Sequence, residues 1–218
     1  MNATRVTVST FGAIAGLAGI EHGIGEVLQG NIAPEGIMIL SWPESEAFAI
    51  LAGEPAMTTV PNLLITGILA ILFSLVFLVW ATMFIGRTHG GLVLILLSVA
   101  LLLVGGGFGP PILGVIVGVA ATRIDAPPAW WSAHLSTGAR RLLAKVWLPC
   151  LVAGVTAWLL VMPGTIILDF LVGVSIPDVV VYVLTLCAFG LLLLTVFTGF
   201  AHDILRQQSS RQAPSMSG

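Results

Sequence analysis

The sequence predicts an all-α fold, a polytopic bundle of transmembrane helices, and three observations carry that prediction. Of the 218 residues, 57% are hydrophobic and only 8% are charged. Mean hydropathy is +1.08, whereas soluble domains carry about 25% charged residues. The apolar residues fall into runs near the length of roughly 20 that a bilayer crossing needs. The few cations are unevenly spread, which sets a topology.

Four runs read as full spans, at about residues 6–28, 60–85, 145–162 and 177–200. The first resembles a secretory leader at its start, but it stays apolar to about Leu28 and is expected to remain uncleaved. A further apolar stretch, Gly90 to Thr122, is interrupted by Gly105-Gly-Gly-Phe-Gly-Pro-Pro111. As one straight helix it would be about 45 Å long, too long for a hydrocarbon core of about 30 Å. Glycine and proline break helices, so it reads as a broken hairpin with limbs at 90–104 and 110–122.

Charge supports the hairpin. If it goes in and returns, Arg5, Arg87, Arg123, Arg140, Arg141, Lys145, Arg206 and Arg211 all share one side. The positive-inside rule makes that side cytoplasmic. The expectation is therefore four full spans plus a broken helical hairpin, nominally six helices. Both termini are cytoplasmic, in the cell membrane and of the bacterial inner-membrane type. Residues 1–206 form one transmembrane domain, and the polar segment 207–218 is expected to be a disordered tail. Trp130 and Trp131 are expected at the inner interface, beside Arg140 and Arg141.

The outer loop, residues 29–59, contains no cation and holds Glu35, Glu44, Glu46 and Glu54. Ser41-Trp-Pro-Glu44 resembles a capped helix start, which predicts a short surface helix over 42–52. Residues 163–175 read as a second outer loop.

Chemistry is sparse. Cys150 and Cys187 form no C-x-x-C and read as buried free thiols. Eight cations among ten acids make no basic patch, so a nucleic-acid partner is not expected. The bilayer is the expected surrounding.

The first span carries the clearest signal. Gly12, Gly16, Gly19 and Gly23 project as one stripe at 100° per residue. Small-residue stripes let helix backbones approach closely, so a homo-oligomer or a membrane partner is expected to dock there. His22 and Glu26 lie beside the stripe, and Glu21 points away from it. Ionisable groups at membrane depth cost about 2.5–3.5 kcal/mol each and default to functional candidates.

At i and i+4, His22 and Glu26 face one neighbour and supply two ligands for a divalent metal. Glu21 or an acid from the outer loop would complete three. The order is E-H-x-x-x-E, not the H-E-x-x-H of metalloproteases. Asn62 and Tyr182, in the outer layer, are further binding candidates. Gly105, Gly106, Gly107 and Gly109 mark a backbone break of the kind that lines ion sites in transporters, or a plain tight turn. His89, Asp125, His134, His202 and Asp203 read as ordinary solvated or interfacial residues of the inner side.

Three functions follow. The first is a transport-type or ion/proton-linked membrane protein with an outward-facing polar site. The second is a non-catalytic subunit that docks a partner through the glycine stripe and the acidic loop. The third is an intramembrane enzyme acting on a lipid, which lacks a visible nucleophile or a complete ligand set.

Overall fold

The computed structural model describes residues 2–124, 135–173 and 176–212. Helix α1 (Ala3–Gln29) is followed by a two-stranded antiparallel hairpin, β1 (Met38–Leu40) and β2 (Pro55–Met57). Helix α2 (Leu63–Val79) ends in a π-turn at Trp80–Phe84, and α3 (Gly90–Leu103) and α4 (Gly109–Ala121) form a helical hairpin. Helix α5 (Thr137–Leu159) passes through a π-turn at Leu160–Gly164 into α6 (Thr165–Val172), and α7 (Asp178–Gln212) closes the chain.

Among the described residues, four helical segments are long and apolar enough to cross a membrane: Ala3–Gln29, Leu63–Phe84, Thr137–Asp169 and Asp178–Ser209. The limbs α3 and α4 are shorter, at 14 and 13 residues. Their bounds agree with the sequence reading, because glycine and proline act locally.

Helix α1 is the centre of the bundle, packing on α2, α4 and α7. Half of its most apolar window is buried, against 33%, 33% and 28% in the other three spans. Phe11, Phe77, Leu94, Leu113, Val117 and Leu192 fill the core around it. Leu72, Leu96, Val119, Val152 and Leu186 point outward, as a lipid-facing surface requires.

The glycine stripe is used within the chain. A Cβ on Gly12 would lie 2.6 Å from Ala81 Cβ, and one on Gly16 or Gly23 would lie 2.8 Å from Leu78 or from the Gly67 carbonyl. Gly19 faces Ser74. The stripe thus seats α2, and the face expected to receive a partner is already covered.

One pole of α1 is closed by Asp203 of α7. Its carboxylate accepts the Ala3 and Thr4 backbone N–H groups at 2.7 and 2.8 Å. These are orphan donors of a helix start, where the helix dipole also favours negative charge. Asp203 is buried, not solvated as expected; Asp125 and His134 lie outside the described residues. At the same pole Asn2 donates to the Ile124 carbonyl at 2.9 Å, and Arg5 faces Gly86. The start of α1, the chain just after α2 and α4, and the interior of α7 at Asp203 therefore meet there.

Several expectations change. The outer loop holds a β-hairpin and only a short 3₁₀ turn, Glu46–Leu51, in place of a helix over 42–52. The reason is backbone pairing: Ser41 N–H and Trp42 N–H donate to the Glu54 and Gly53 carbonyls at 3.0 Å, so both residues extend the hairpin. The segment 163–175 is helical to Val172, with Pro163 accommodated in the wider π-turn. Helix α7 continues into the polar segment as far as Gln212. Cys150 is buried, but Cys187 faces outward. Trp130 and Trp131 lie outside the described residues.

Candidate functional site

At the opposite end of α1, the hairpin folds back onto the helix. Gly25 makes this possible, since a Cβ there would collide with the Ser41 carbonyl and the Trp42 ring. Gln29 Nε2 fastens the contact by donating to the Leu40 and Ser41 carbonyls, both at 3.0 Å. Trp42 stacks on Phe48 at 4.5 Å between centroids.

This docking brings three side chains of the outer loop to the polar residues of α1. Ser41 Oγ lies 2.8 Å from His22 Nδ1 and donates to Glu26 Oε1 at 3.3 Å. Trp42 Nε1–H donates to Glu21 Oε1. Glu54 Oε2 stands 3.5 Å from His22 Nε2.

With Ser41 donating to Glu26 Oε1, the link sets the histidine tautomer. A hydroxyl has one hydrogen, and Ser41 spends it on Glu26. Its contact with His22 Nδ1 is then as acceptor, so Nδ1 carries the ring proton. In the neutral ring Nε2 is left with a lone pair directed at Glu54.

The backbone at Glu54 is held in an unusual conformation to reach this position. Ala52, Gly53 and Glu54 have φ of 54°, 69° and 52°, three successive left-handed residues. For non-glycine residues that conformation costs about 1–3 kcal/mol and persists only when the surroundings enforce it. Here Gly53 N–H donates to Phe48 and Glu54 N–H to Leu51, each at 3.0 Å.

The glycine break forms the other wall. Gly105 and Gly107 have φ of +93° and +74°. A Cβ on Gly105 would collide with the Glu26 carboxylate, and one on Gly107 with the His22 ring. The break is tied to the hairpin side by Gly105 N–H to Met57 O and Thr59 N–H to Leu103 O, both 2.9 Å. The expected polar residues and the expected break are therefore one place.

Burial makes this place electrostatically unusual. Glu26 is fully buried, at 0% exposure, and Glu54 and His22 are nearly so. Glu21 Oε2, Glu26 Oε2 and Glu54 Oε2 accept no hydrogen bond from the described residues. Among those residues His22 is the ion-pair partner of Glu54, and no Lys or Arg is paired with the three acids. Glu54 lies outside the spanning helices. Burial first, and then the facing Glu21 carboxyl, push its carboxyl up to about 10.

Three of the expected residues, Glu21, His22 and Glu26, thus come together with Ser41, Trp42 and Glu54. Ser41 separates Glu26 from His22, and Glu54 takes the position beside the ring. The group able to present ligand atoms to one ion is Glu21, His22 and Glu54, whose atoms lie within 4.8 Å of one another. Asn62 and Tyr182 do not join it. Asn62 caps α2 by accepting Ile65 N–H at 3.1 Å and donates to Asn31, and Tyr182 is 67% exposed.

The cluster borders a cavity of about 600 Å³, lined by Glu21, His22, Glu54 and apolar residues of α1, α4 and α5–α7. Leu17, Leu159 and Ile167, which line it, are half exposed on the apolar surface. No family model, curated protein or solved structure matches this chain.

Proposed function

We propose that this chain is a small integral membrane protein of the transport type, linked to an ion or a proton. In this reading the polar site faces outward, both termini are cytoplasmic, and α3–α4 enters and returns. One observation carries it: the buried carboxyl groups of Glu26 and Glu54 and the half-buried one of Glu21 share a site with a histidine and no cationic side chain among the described residues. Buried acids are normally paired or hydrogen-bonded at every oxygen. Leaving them unpaired is costly, and a proton or cation that comes and goes supplies the missing partner. The cations near the Asp203 pole support the orientation.

The test is flux. The full chain is reconstituted into liposomes that contain a pH-sensitive dye, with Na⁺, K⁺, Mn²⁺ or Zn²⁺ outside. The wild type is expected to collapse an imposed pH gradient faster than protein-free liposomes, and Glu54→Gln and Glu26→Gln are expected to abolish that excess. A wild type that holds the gradient as long as empty liposomes with every ion refutes the reading.

The apolar cavity favours a second reading, an enzyme acting on a lipid that enters from the bilayer. Mass spectrometry of the liposome lipids after incubation tests it, and an unchanged lipid profile excludes it.

A further inference from the structure

We propose that Glu21, His22 and Glu54 hold one divalent transition-metal ion, through Glu21 Oε2, His22 Nε2 and Glu54 Oε2. This rests on the ion-linked reading of the same site and names the ion.

The three atoms are the ones the surrounding structure leaves available. Trp42 occupies the other oxygen of Glu21, and Ser41 occupies the other nitrogen of His22. Glu21 Oε2 and Glu54 Oε2 are buried and accept no hydrogen bond from the described residues. The spacing suits a metal. Zinc–nitrogen and zinc–oxygen bonds of about 2.0–2.2 Å give a tetrahedral edge of about 3.4 Å, and His22 Nε2 lies 3.5 Å from Glu54 Oε2.

A second layer supports the ligands. Metal-bound histidines donate their other N–H to an acceptor backed by further hydrogen bonds, which fixes the tautomer. The His22–Ser41–Glu26 chain has that form. This explains why Glu26, the acid at helical spacing from His22, stands behind the serine and not beside the ion.

Charge and donor type narrow the ion further. Two carboxylates neutralise a dication, and no Lys or Arg pairs with them among the described residues. Calcium and magnesium prefer all-oxygen sites, whereas a set of one imidazole and two carboxylates suits zinc, iron(II) or manganese(II). Three protein ligands leave a position for water or a solute, as in catalytic and exchangeable sites. The cavity bordered by the same three residues gives that position room.

The competing arrangement is a carboxyl pair in which Glu21 and Glu54 share a proton, and metal binding separates the two. The full chain is purified in detergent, stripped with a chelator and titrated with Zn²⁺ against a fluorescent competitor, with elemental analysis of the product. One zinc per chain is expected. Glu54→Gln keeps the side-chain size and is expected to weaken binding by about 100-fold or more, and Glu26→Gln by about 10- to 100-fold. Glu44→Gln, on the exposed part of the same loop, is expected to bind as the wild type does. Helix content and a single elution peak establish folding; if Glu54→Gln fails them, Glu21→Gln takes its place. Failure of the stripped wild type to take up zinc, or equal affinity in Glu54→Gln, overturns the assignment. So does equal weakening by Glu44→Gln, which would mark diffuse binding to an acidic loop. Flux that needs Glu54 without zinc binding refutes this inference and leaves the transport reading standing. Tight zinc binding without any flux does the reverse.

Discussion

The two ends of α1 hold buried acids in opposite circumstances. At the start of the helix, Asp203 gives each carboxylate oxygen its own backbone donor, at 2.7 and 2.8 Å. At the other end, Glu21, Glu26 and Glu54 each keep one buried oxygen that accepts no hydrogen bond from a donor group among the described residues. Glu21 and Glu54 have each other's carboxyl to share a proton with. The first acid is a structural part, because the fold satisfies it completely. The second group is incomplete in the folded chain alone, and that incompleteness makes it the candidate site. Burial does not separate the two cases; the count of donors does.

The largest effect expected from breaking this contrast comes at the glycine wall. Gly107→Ala puts a Cβ into the His22 ring at a φ of +74°. It is expected to cost about 3 kcal/mol or more, seen as a sharp fall in the thermal midpoint of the detergent-solubilised protein. Gly109→Ala, where nothing lies within 4 Å of the new Cβ, is the matched control and is expected to be near neutral.

Asp203→Ala comes next. It strands two donors at the start of α1 and is expected to destabilise the protein by about 2 kcal/mol, with zinc affinity unchanged. Glu26→Gln is expected to show the contrast in sign. Removing a buried acid that lacks a full set of partners should leave the thermal midpoint unchanged or raise it by about 1 kcal/mol in stability, while flux is lost. A loss of stability as large as that of Asp203→Ala would make the two poles equivalent. The smallest effect is at Tyr182, exposed on α7, where Tyr182→Phe is expected to change stability by less than about 0.5 kcal/mol.

Features governed by nearby residues were legible in the sequence. The limbs of the broken hairpin follow from Gly105 to Pro111, and the close packing face of α1 follows from its glycine spacing. The grouping of His22 with Glu21 and an acid of the outer loop was legible too, but which loop acid was not. Glu54 reaches His22 through hairpin pairing and a run of left-handed residues that no periodicity announces. Ser41 was misread for a related reason. Its S-x-x-E context suggests a helix start, yet its backbone pairs with Glu54 and its hydroxyl serves His22. Asp203 looked like a solvated charge because the helix start it completes lies 200 residues earlier. A sequence cannot show which distant donors an acid will find.

The ties between the hairpin and the α3–α4 break have a consequence for traffic. Thr59 N–H and Oγ1 both donate to the Leu103 carbonyl, and Gly105 N–H donates to Met57. Hairpin and break therefore form a single panel over His22 and Glu26. Admitting anything from the water above means lifting the whole panel and breaking those bonds together, at about 1 kcal/mol each. Leu17, Leu159 and Ile167 line the neighbouring cavity and are half exposed on the apolar surface. In the proposed membrane setting, a route to the cluster past these residues breaks none of the panel's hydrogen bonds.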